Sequence, residues 1–151
     1  MRMALAVIQG VFCLFFWAGH ASASGLIDFR NSCFSQGQPQ AGIEEKSFAS
    51  SQLKDPSSLE EILNTLIRVS SLKVSISGNA DPSECIGDDC IELSRRRANA
   101  ISTWLVANGV SKSQIVETSG AGTAQPVYSG TIEEWHWTNR CVFVTPVDGS
   151  Y

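Results

Sequence analysis

A two-layer α/β sandwich is the architecture expected of this 151-residue chain. Three features point to it. Two stretches carry apolar residues at helical spacing, and runs of apolar–polar alternation mark strands after them. A hydrophobic content of 43 % with 17 % charge suits one small globular domain and not a disordered chain. Four of the five cysteines lie beyond an export-type leader, an even set that can staple a small exported fold.

The leader comes first. Met1-Arg2-Met3 is a short positive start, and Ala4 to Trp17 is apolar except for Gln9 and Gly10. Ala21-Ser22-Ala23 then supplies a small-x-small cleavage site, the layout of a secretory signal peptide. Residues 1–23 are thus expected to be a signal, 24–42 an N-terminal extension and 43–148 the domain. The alternative is an uncleaved anchor, but the apolar run falls short of the ~18–20 residues a membrane helix needs. Phe12 before Cys13 argues against lipidation, and no later segment is apolar enough to cross a membrane. The mature chain is therefore expected outside the cytoplasm. The formal charge is −4, and cleavage removes one further cation, Arg2. Nothing attracts phosphates, so nucleic acid is excluded as a partner.

Residues 24–42 are rich in Ser, Gln and Gly and give little pattern. Ile43 to Phe48 is a first strand candidate. Asp55-Pro56-Ser57-Ser58 announces a helix, with Ser57 and Glu60 spaced as a capping box. Leu59, Ile62, Leu63, Leu66 and Ile67 then form one apolar stripe. Leu72, Val74 and Ile76 alternate with Lys73, Ser75 and Ser77, which predicts a strand with one buried face. A loop over 80–90 carries Pro82 and four acids, Asp81, Glu84, Asp88 and Asp89. A second helix is expected from Ile91 to Ala107, stopped by Asn108-Gly109. Ile115–Ser119 and Arg140–Pro146 are the remaining strands, the last with Val142 and Val144 on one face and Phe143 on the other.

Cys33, Cys85, Cys90 and Cys141 are expected as two disulfides. Cys85 with Cys90 closes a short loop and leaves Cys33 for Cys141; Cys90 with Cys141 is the rival pairing. A zinc site is disfavoured, because one C-x₄-C pair plus two isolated cysteines matches zinc spacing poorly.

The second helix carries an unusual charge. At about 100° per residue, Leu93, Ile101 and Trp104 fall within about 40° of Arg97, whereas Arg95 and Arg96 point to solvent. A guanidinium on an apolar face keeps its proton and so needs a carboxylate. Asp81, just after the central strand, is placed to supply one. Two readings follow: a structural Asp81–Arg97 ion pair, or an open clamp completed by a zwitterion, its carboxylate on Arg97 and its ammonium on Asp81.

Four motifs stand in order: Gly78-Asn79-Ala80-Asp81, Leu93-Ser94-Arg95-Arg96-Arg97-Ala98, Gly120-Ala121-Gly122 with Pro126-Val127, and Asn139-Arg140-Cys141-Val142. Together they resemble the OmpA-like peptidoglycan-binding domain, over roughly residues 43–146. The resemblance implies a βαβαβ sandwich with both helices on one face of a small mixed sheet. It implies a non-catalytic periplasmic module of a Gram-negative envelope, associated with the outer membrane. Such a module holds the diaminopimelate of the peptidoglycan stem peptide. Asp81 matches the residue on the ligand ammonium and Arg97 the one on its carboxylate, with Asn139, Arg140 and the backbone around Leu93 beside them. Cys90, Cys141, His136 and Asn79-Ala80 depart from the family pattern, and the loop from Asp81 to Arg97 is about one residue longer. Those departures thin the polar surround of the clamp. They leave open an adaptor that keeps the fold, binds an outer-membrane or other envelope protein, and has weakened or lost the wall ligand.

Other constellations carry less. Glu133-Glu134 reads as a solvated loop, since surface carboxylates usually are. Trp135-His136-Trp137 reads as packing beside the core, with stacking on a sugar or partner as the alternative. There is no G-x-S-x-G and no H-E-x-x-H, and Gly120-Ala121-Gly122 lacks the Gly-Lys-Ser/Thr of a phosphate loop. No catalytic residue, metal or cofactor is expected, and a wall hydrolase is the least favoured class.

Overall fold

The computed structural model describes residues 27–40 and 48–147. The leader expected at 1–23 lies outside the described residues, as does 43–47 of the first strand candidate. Phe48 is described and sits in no strand. Its ring packs on Phe34, 5.6 Å between centroids. Among the described residues the first strand is a pair from the N-terminal segment, β1 (Ser32–Cys33).

The remaining elements follow the periodicity. Helix α1 spans Pro56–Arg68 and buries Leu59, Ile62 and Leu66. Its cap is Asp55 and not Ser57: an Asp55 carboxylate oxygen accepts from the Ser57 N–H at 3.1 Å. Pro56 explains the shift, because proline fits the first helical turn, where its missing N–H is not needed. Strand β2 (Val74–Gly78) comes next, then helix α2 (Asp88–Ala107), one turn longer at its start than the apolar pattern indicates. Strands β3 (Ile115–Gly120) and β4 (Cys141–Pro146) complete the set.

The sheet order is β1-β4-β2-β3. β2 and β3 run parallel, and β4 is antiparallel to both β2 and β1. Register pairs Ile76 with Val144 and Gly78 with Val142, so the apolar residues of β2 and β4 share a face. Val74, Ile76, Val142 and Val144 there meet Leu59, Ile62 and Leu66 of α1 and Ala98, Ile101 and Leu105 of α2 in one core. Both helices therefore cover one face of a small mixed sheet. Each fully buried Leu or Ile stabilises the fold by about 1.5–3 kcal/mol. Phe29 and Phe34 join this core, so the N-terminal segment is part of the fold. Buried Gln114, just before β3, donates to the Leu66, Val69 and Leu72 carbonyls and closes the end of α1.

Two glycines set how closely α2 lies on the sheet. Gly78 and Gly120 are register partners at the ends of β2 and β3. A Cβ at Gly78 would overlap the Ser94 carbonyl oxygen, and one at Gly120 would lie 2.5 Å from the Arg95 nitrogen. The Ser94 hydroxyl oxygen in turn accepts from the Gly122 N–H at 2.9 Å. This approach fixes α2 so that its next buried position, Arg97, projects over the chain leaving β2.

Cys33 is joined to Cys141, tying β1 to β4 across the register pair Cys33–Cys141, and Cys85 is joined to Cys90. The four cysteines among the described residues are thereby all in disulfides.

Candidate functional site

β2 ends at Gly78, and Asn79, Ala80 and Asp81 follow as a buried stretch. The Asn79 N–H donates to the Cys141 carbonyl and the Ala80 N–H to the Gly122 carbonyl, which holds the strand's exit rigid. The chain turns at once, with the Glu84 N–H donating to the Asp81 carbonyl at 3.0 Å. Asp81 and Glu84 therefore start from one turn, and Glu84 is the one that reaches Arg97.

Arg97 is fully buried and its partner is Glu84, not Asp81. Nη2 donates to Glu84 Oε1 at 2.7 Å and Nη1 to Oε2 at 2.9 Å, a bidentate fork. Nη1 also donates to the Asn79 carbonyl at 3.0 Å, and Nε donates to the Gln38 carbonyl at 2.8 Å. The Phe34 ring lies 5.6 Å from the guanidinium carbon. Glu84 accepts further bonds from the Gly37 N–H at 2.7 Å and the Asp81 N–H at 3.1 Å. Arg140 Nε stands 3.6 Å from Glu84 Oε1. Burial pushes the Glu84 carboxyl up, but the Arg97 fork and these N–H groups outweigh it and leave its pKa lowered.

Asp81 faces the other way. One oxygen accepts from the Ser83 N–H at 2.9 Å and from the Ser83 hydroxyl. The other accepts from Asn139 Nδ2 at 2.7 Å and His136 Nδ1 at 2.8 Å. Burial raises its pKa, yet Ser83, Asn139 and His136 together bring it down to about 2. An ionised carboxylate only accepts, so His136 donates through Nδ1. The expected Asp81–Arg97 pair is thus replaced by two separate arrangements. Asp81 is held by neighbours on its own turn and on the loop before β4. The longer Glu84 side chain, three residues on, reaches the guanidinium.

Four of the five residues expected at the site meet here. Asn139 is buried and spans from Asp81 to the backbone of Tyr128, accepting from its N–H and donating to its carbonyl. Arg140 reaches the Ser83 hydroxyl at 3.4 Å. Leu93 instead packs with Ala80 and Cys90, beside the Cys85–Cys90 ring. Sequence reasoning left Glu84 among four loop acids and gave no role to Ser83, Gly37 or Gln38. His136 stood out only as a departure from a family pattern. Trp135 is 54 % and Trp137 36 % exposed, so the indoles flanking it are not core residues. The Lys54 ammonium lies 4.8 Å over the Trp137 ring, and Tyr128 contacts both Trp135 and His136. Among the described residues no group of His, Cys, Asp or Glu is arranged to hold a metal, and no helix is long and apolar enough to cross a membrane.

A central glycine-ended strand, a helix bearing one buried arginine and an Asn-Arg pair leading into the closing strand form a recognisable set. The OmpA family model matches residues 47–140, most of the chain. The chain belongs to the OmpA family. As an OmpA-family domain it is a non-catalytic binding module, not an enzyme. The peptidoglycan-associated lipoprotein from Burkholderia pseudomallei shares the fold at 22 % identity and a TM-score of 0.61, over 78 % of this chain and 90 % of that one. The C-terminal domain of MotB from Helicobacter pylori does so at 16 % identity and a TM-score of 0.62, over 79 % and 86 %. No curated protein matches the sequence. In the OmpA-family frame, Asp81, Arg97 and Asn139 occupy one end of the sandwich, where β2 hands over to the loop and β4 begins.

Proposed function

We propose that this OmpA-family domain is an exported, periplasmic module that associates non-covalently with peptidoglycan. Its ligand is the diaminopimelate of the stem peptide, with a carboxylate in the fork of Arg97 and an ammonium against Asp81. Asn139 and Arg140 complete the site. The observation that carries this reading is the Arg97 fork itself: a buried guanidinium on an apolar helix face, holding a carboxylate through two parallel bonds. Family membership and the fold shared with the peptidoglycan-associated lipoprotein support the same ligand class. Asn79 Oδ1 adds a detail, being a buried acceptor with no partner among the described residues. Leaving it so costs about 1–3 kcal/mol, which an incoming N–H donor removes.

Co-sedimentation with purified sacculi tests the reading. Arg97→Lys keeps the charge and loses the fork. It is expected to bind at least about tenfold more weakly than wild type, about 1.4 kcal/mol. Equal co-sedimentation of the two rejects the clamp. One observation favours a second reading, an envelope adaptor that no longer takes the wall ligand: the carboxylate in the fork belongs to the chain itself. Under that reading neither protein pellets with sacculi, and the domain is instead captured by an envelope protein.

A further inference from the structure

The carboxylate in the Arg97 fork is tethered. Glu84 sits on an exposed loop, between Ser83 and the Cys85–Cys90 ring, yet its own side chain is fully buried. The segment Gly37-Gln38 closes over it, giving one N–H to Glu84 and one carbonyl to Arg97. That segment is anchored nearby by Phe34 in the core and by the Cys33–Cys141 bridge. Two carboxylates match two guanidiniums here without any ligand: Glu84 lies on Arg97 and beside Arg140, and Asp81 lies on His136. An external carboxylate cannot join this set, because two carboxylates would then share one fork and repel.

We infer that Glu84 is an internal ligand of Arg97, standing where an external carboxylate would bind, and that the Gly37-Gln38 strap closes this masked state. The site opens to a carboxylate only when Glu84 leaves the fork. The mostly exposed loop from Pro82 to Gly87 allows that departure while α2 and Arg97 stay fixed on the sheet. The inference rests on Arg97 being the ligand arginine of the proposed function, and it adds a specificity. The favoured ligand must present a free carboxylate able to outcompete Glu84, so an amidated stem peptide is rejected. Apparent affinity falls by the fraction of molecules in which the fork is vacant.

A small carboxylate tests the masking directly. In Glu84→Ala the fork is vacant, and acetate or propionate is expected to raise the melting temperature while chloride at equal ionic strength does not. Wild type, and the double variant Glu84→Ala/Arg97→Met, are expected to show no such difference. If Glu84→Ala does not fold unaided, its refolding yield in acetate against chloride gives the same readout. No acetate effect on melting or on refolding overturns the inference. Sacculus binding separates it from the function it rests on. Binding by Glu84→Ala about tenfold tighter than wild type supports masking. Equal binding by both, lost in Arg97→Lys, overturns masking and leaves the peptidoglycan reading intact. Acetate rescue with no sacculus binding by any form supports Glu84 as an internal ligand and rejects the peptidoglycan reading.

Discussion

Helix α2 makes two contacts of opposite character within three turns. Along Ala98, Ile101 and Leu105 it meets the sheet and α1 through apolar atoms alone. At the adjacent Arg97 it meets Glu84, Asn79 and the strap through charged and polar atoms, equally buried. The apolar contact tolerates many partners of similar volume, because its attraction has no direction. The polar contact admits few, since each donor needs an acceptor at the right place and a lost partner leaves a buried charge. Rigidity comes from the first and selectivity from the second.

The largest break in that comparison is Arg97→Ala. It strands the Glu84 carboxylate and is expected to cost about 3–5 kcal/mol in urea unfolding. Replacing both members, Glu84→Leu with Arg97→Met, is expected to cost clearly less than either single change. A double variant as unstable as the single ones rejects the pair as a coupled unit. Gly78→Ala attacks the apolar side by pushing α2 off β2, with an expected cost of about 1–3 kcal/mol. A melting temperature unchanged by Gly78→Ala contradicts the close approach.

Acid sharpens the polar side alone. Asp81 at about 2 and the lowered Glu84 bind protons more weakly folded than unfolded. Their stabilisation is full above about pH 4.5, the ordinary glutamate value, and is lost as pH falls towards 2. The expected loss is on the order of 2 kcal/mol for Asp81 alone, and His136→Phe should shift the fall to higher pH. A chain equally stable at pH 2 and pH 6 contradicts the carboxylate assignments. Ile101→Val is the smallest, about 0.5–1.5 kcal/mol with no effect on the acid profile.

The same division explains what the sequence revealed. The apolar stripes of α1 and α2 and the alternation in β2 and β4 are periodic, and periodicity survives without a structure. The placement of Arg97 on an apolar face followed from the same spacing. Its partner did not, because Asp81 and Glu84 leave one turn in different directions and side-chain reach decides between them. The strap is harder still: the Gly37 N–H and the Gln38 carbonyl are backbone atoms with no residue signature. β1 is two residues long, too short to show alternation. Gln114, the last of a polar run Ser111-Lys112-Ser113-Gln114 before β3, gave no sign that it closes the end of α1.

The Cys33–Cys141 bridge has a mechanical consequence. Tension applied between the chain before Cys33 and the chain after Cys141 passes through one covalent link. The chain between them, a sequence separation of 108, carries none of that load. Both helices and the Arg97 end lie inside that shielded stretch, whereas the part of β4 beyond Cys141 can still be drawn off β2.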